Sequence, residues 1–134
     1  MRITLAAAAY LLAALAFLFA ARDAFACGYC VEDRVAAVYD HAVVVRALER
    51  KHQVAFLAIG GTDSHERELL RSIQSELGTV RGIDRGTARV SLESASVSFA
   101  YGPGRPGLGP IMSVLGKKLA GKGLSFSILR VIDD

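Results

Sequence analysis

Between Val54 and Ile132 the spacing of apolar side chains switches back and forth between a strand period and a helix period. That order limits the possible folds more than any other feature. VAFLAI, residues 54–59, is a continuous apolar run closed by Gly60-Gly61, which predicts a strand buried on both faces. In TDSHERELLRSIQSELG, Asp63 and Glu66 have the spacing of a capping box. Leu69, Leu70, Ile73 and Leu77 make one helical stripe, and Gly78 supplies its stop. ARVSLESASVSFAY alternates through Ala88, Val90 and Leu92, then through Val97, Phe99 and Tyr101, with Glu93-Ser94-Ala95 as a turn. The pattern predicts a hairpin with one face in the core and one in water, and residues 80–86 lead into it.

A second amphipathic helix then presents Leu108, Ile111, Met112, Leu115 and Leu119. Lys117, Lys118 and Lys122 lie near its C-terminal end, where the macrodipole favours cations. Gly121 and Gly123 end it, and LSFSILRVI alternates through Leu124, Phe126 and Ile128 as a last strand. Strand, helix, strand, strand, helix, strand is the split βαβ order. It predicts an α+β, ferredoxin-like domain over residues 53–134: a four-stranded antiparallel sheet with two helices on one face. Gly102 to Gly107 also satisfies G-x-G-x-x-G, but Pro103 and Pro106 have no N–H to offer a phosphate, so the loop reads as a connector.

The N-terminus sets the compartment. Arg2 is followed by the uncharged run Ile3 to Ala21, and Ala24-Phe25-Ala26 is a small-x-small cleavage site, so residues 1–26 read as a signal peptide. The expected location is periplasmic or secreted, with membrane association only if the segment stays uncleaved as an anchor. Cleavage after Ala26 leaves 108 of the 134 residues, enough for one small domain. The mature chain then carries 14 basic and 12 acidic side chains, against 16 and 13 in the full chain. A balance of that kind, spread along the sequence, excludes a nucleic-acid footprint.

Residues 27–52 form an extension. Val31, Val35, Val38, Ala42, Val45 and Leu48 fall on one stripe, which predicts a single helix over 31–51. Directly before it stands Cys27-Gly28-Tyr29-Cys30, which contains both cysteines of the chain. Asp40-His41 reads as an exposed or capping pair, and His52 as a solvated side chain.

At residues 54–132 the sequence resembles the heavy-metal-associated domain family, small copper and mercury carriers of ferredoxin-like fold. The resemblance rests on the strand 54–59, the turn Gly60-Gly61-Thr62, the helix after it, the hairpin, and the second helix ending at Lys122-Gly123. It implies the fold, and a soft-metal site at the start of the first helix, where the family's motif runs G-M-T-C-x-x-C. Here Gly60 and Thr62 match, while Asp63 and Glu66 stand at the two cysteine positions. Carboxylates are hard ligands and suit Cu(I) poorly.

Three readings therefore compete for Cys27 and Cys30. As metal ligands, two thiolates bind Cu(I), or Zn(II) with two more ligands. As a redox pair, they would exchange disulfides, although the strand-first context of thioredoxin-like motifs is missing. As a structural disulfide, they would only staple the N-terminus, which an oxidising compartment permits. Asp63, His65 and Glu66 form a weaker second metal candidate. The overall expectation is a non-catalytic exported protein whose partner is a copper or zinc ion or another periplasmic protein.

Overall fold

The computed structural model describes residues 30–61, 66–104 and 106–134, so the signal peptide read at 1–26 lies outside the described residues. β1 (Gln53–Gly60) is the central strand, and each residue from Val54 to Ile59 is buried. It pairs antiparallel with β3 (Ser96–Tyr101), from Gln53↔Tyr101 to Ala58↔Ser96, and on its other side with β4 (Ser125–Ile132). β2 (Arg89–Ser91) pairs with β3, giving the sheet order β2-β3-β1-β4. The helix Glu66–Thr79 joins β1 to β2, and the helix Leu108–Ala120 joins β3 to β4. That connectivity is ferredoxin-like, as the element order predicts.

One face of the sheet meets these two helices. Ala55, Leu57 and Ile59 of β1 and Val97, Phe99 and Tyr101 of β3 pack with Ile73 and Leu77 of the first helix. Ile111, Leu115 and Leu119 of the second complete the cluster. Strand side chains alternate, so Val54, Phe56 and Ala100 point the other way. There they meet Val35, Val38, Val44 and Ala47 of the extension. β3 therefore has no wet face and is buried at all six positions, while β2 is half-buried throughout. Ser96 and Ser98 carry the polar half of the alternation. Ser98 is satisfied under the extension, its Oγ donating to the Val38 carbonyl at 2.6 Å.

The extension is two helices, α1 (Val31–Ala37) and α2 (His41–Glu49), where one was expected. In chain order the Glu66–Thr79 and Leu108–Ala120 helices are then α3 and α4. The break has a local cause. Asp40 takes an extended conformation, its carboxylate accepts from the Val43 N–H at 3.2 Å, and its carbonyl accepts from the Val44 N–H. The intervening linker rotates the stripe, so Val44 and Ala47 are buried while Val45 is 38% exposed.

Two further boundaries differ. α3 runs through Gly78 to Thr79, whose hydroxyl donates to the Glu76 carbonyl at 2.8 Å and closes the last turn. Residues 80–86 form turns, touching the sheet by one bridge from Ile83 to Tyr101. β4 contains a bulge: Phe56 pairs with Arg130 and Leu57 with Ile128, leaving Leu129 as the additional residue. Among the described residues, no helix is long and apolar enough to cross a membrane.

Candidate functional site

Cys30 is exposed and stands at the N-cap of α1, with its carbonyl accepting from the Arg34 N–H at 3.1 Å. α1 is fixed at both ends. Glu32 pairs with Arg130 of β4, and the Val38 carbonyl takes the Ser98 hydroxyl of β3. The helix thus crosses the sheet from the β4 edge towards β3, with Cys30 at the β4 end.

Cys27, Asp63 and His65 lie outside the described residues, and Glu66 is the first residue of α3. The element that carries Cys30 and the element that Glu66 begins lie on opposite faces of the sheet. Among the described residues, no three His, Cys, Asp or Glu side chains gather as a metal site would require.

The other histidines are placed by specific partners. Tyr39 Oη lies 3.3 Å from His41 Nδ1, on the short linker between α1 and α2. His52, expected to be solvated, is half-buried with Nδ1 2.6 Å from Asp84 Oδ2. Its place just before β1 brings it beside the 84–89 turn, a long-range contact that local sequence does not announce.

One concavity has no counterpart in the sequence reading. It is a cavity of about 200 Å³ between α2 and the 84–89 turn, lined by Arg46 and Arg50 on one side and Arg85 and Arg89 on the other. Asp40 and Asp84 also line it. Arg89 donates from Nε and Nη2 to Asp40 Oδ2 at 3.0 and 2.8 Å, and from Nη1 to the carbonyls of Gly86 and Ala88. The Val43 N–H and then Arg89 hold the Asp40 carboxyl below the usual carboxylate range. A folded-state pKa below the unfolded value adds stability above about pH 3.9, and that stability is lost as pH falls through the folded value. Asp40→Asn keeps a capping side chain but removes the charge. It is expected to melt below the parent at pH 7, with the gap closing as pH drops below about 4. Thermal melts of both proteins across that range check this.

No family model matches the chain, and no curated protein matches it. Among solved structures it is similar to a copper binding domain from HMA7, a P-type ATPase. That match has 16% identity over 59% of this chain and 96% of the other, with a TM-score of 0.48. It is similar to the yeast copper transporter domain CCC2A at 18% identity, 58% and 96% coverage, and a TM-score of 0.45. Oxidized MerP from Ralstonia metallidurans CH34 is similar at 14% identity, 59% and 99% coverage, and a TM-score of 0.45. These are likenesses of fold, and the fold is the one that the strand order and helix placement above establish for this chain.

Proposed function

We propose that this is an exported, non-catalytic protein that binds or hands on a soft transition metal, copper or zinc, through Cys27 and Cys30. The observation that supports this reading is the exposure of Cys30 on an element pinned to the sheet by Glu32–Arg130 and Val38–Ser98. Cys30 is thereby presented at the surface, and the second thiol lies three residues before it. Two thiolates suffice for Cu(I), whereas Zn(II) needs two more ligands from a partner or from this chain. Asp63, His65 and Glu66 are a separate proposal. With α3 on the far face from α1, they would act as a carboxylate–imidazole site of their own.

The test is Cu(I) and Zn(II) titration of the reduced mature protein, with mass spectrometry of its N-terminus. Stoichiometric uptake is expected for the parent and for His65→Ala, and its loss for Cys27→Ser. Absence of uptake in the parent would overturn the metal reading. A measured reduction potential well above about −300 mV would then favour thiol–disulfide exchange.

A further inference from the structure

The cavity between α2 and the 84–89 turn contains more positive charge than the described residues neutralise. Its two carboxylates are both committed, Asp40 to Arg89 and Asp84 to His52. Among the described residues, no acceptor is hydrogen-bonded to the guanidinium groups of Arg46, Arg50 or Arg85, and all three residues are exposed. Arg46 in the last turn of α2 and Arg50 at its C-cap line the same side of the cleft, where like charges repel unless an anion lies between them. Arg85 adds a third guanidinium from the facing turn.

We infer that this cleft is a binding site for a phosphate-bearing anion, seated between Arg46 of α2, Arg50 at its C-cap and Arg85 of the 84–89 turn. Guanidinium forks match the paired oxygens of phosphate, and charge-assisted hydrogen bonds of this kind are the strong ones. The volume sets the size of the ligand. About 200 Å³ falls below the roughly 300–1,000 Å³ of pockets that enclose drug-sized molecules. The site therefore takes a phosphate or diphosphate group and leaves any larger remainder in solvent. The shared chemistry fits a free phosphate compound and an anionic lipid headgroup alike. This site is independent of Cys27 and Cys30, so failure of metal binding does not affect it.

The experiment uses the mature protein and two phosphate sources. Calorimetric titration with inorganic phosphate and pyrophosphate tests the free anion, and sedimentation with phosphatidylglycerol against phosphatidylcholine vesicles tests the headgroup. Saturable, salt-sensitive binding is expected in at least one arm. It should weaken about tenfold in Arg46→Gln and in Arg85→Gln, roughly the loss of one hydrogen bond to a charged group. Arg71→Gln on exposed α3 surface should leave it unchanged. Binding to pyrophosphate assigns a soluble ligand, and binding only to phosphatidylglycerol vesicles assigns a headgroup. Three results overturn the inference: no binding in either arm, binding indifferent to the arginines, or binding of an aspartate-only peptide where phosphate and pyrophosphate fail. The arginines are exposed, so circular dichroism of the variants should match the parent.

Discussion

Phe56→Ala should lower the free energy of unfolding by about 3–5 kcal/mol, a large share of what a domain of this size possesses. Phe56 is fully buried, and it sits on the sheet face that meets α1 and α2. Val35, Val38 and Val44 belong to the same cluster, and the Tyr39 ring stacks on Phe56 with centroids 6.4 Å apart at 11°. Truncation leaves a cavity under a short two-helix cover that cannot collapse freely, because Ser98 and Arg130 pin α1 at each end. Urea unfolding followed by circular dichroism measures the loss as a lower midpoint. A loss below about 1 kcal/mol would mean that the extension does not seal this face in solution.

Gly61→Ala is the second large effect, and its cause is backbone rather than packing. Gly61 has φ +80°, and a Cβ there would lie 2.1 Å from the Gly123 carbonyl oxygen. The left-handed region is unfavourable for alanine, and the clashing atom belongs to the turn that leads into β4. Relief requires moving that turn, which strains the neighbouring pair Gly60↔Ser125. A cost of about 2–4 kcal/mol follows from strain and overlap together. Gly116→Ala is the control. Gly116 is inside α4, an added Cβ meets nothing within 4 Å, and the substitution should stabilise by about 0.5–1 kcal/mol. Opposite signs in paired thermal melts distinguish backbone geometry from a general intolerance of glycine replacement.

The sequence was most readable where one periodicity was sustained. VAFLAI announced a doubly buried strand, and the stripes of α3 and α4 announced the helices that cover one face. The serines of β3 misled for a physical reason. Alternation tells which residues share a face, but small polar side chains read as solvated even when a backbone carbonyl satisfies them, as Val38 does Ser98. The stripe from Val31 to Leu48 misled differently, because it averages over a cap. Asp40 stops one helix and starts another, and no periodicity count detects a phase change of three residues. The arginine cleft was half visible, since Arg46 and Arg50 stand four residues apart in the sequence. Arg85 joins them only through tertiary folding. Cys27, Asp63 and His65 remain proposals drawn from residue chemistry.

The additional residue at Leu129 has a consequence for association between chains. Among the described residues β4 forms an edge of the sheet, eight residues long, and Ile128 on it is 53% exposed. An unbroken edge of that length is a template on which a strand from another molecule can zip up. The bulge interrupts the regular spacing of outward-facing N–H and C=O groups near the middle. Arg130, paired with Glu32, adds a charged cross-link beside it. An incoming strand would find a matching register on only one side of the interruption, a run too short for stable augmentation. The irregularity thus acts as protection against edge-to-edge aggregation.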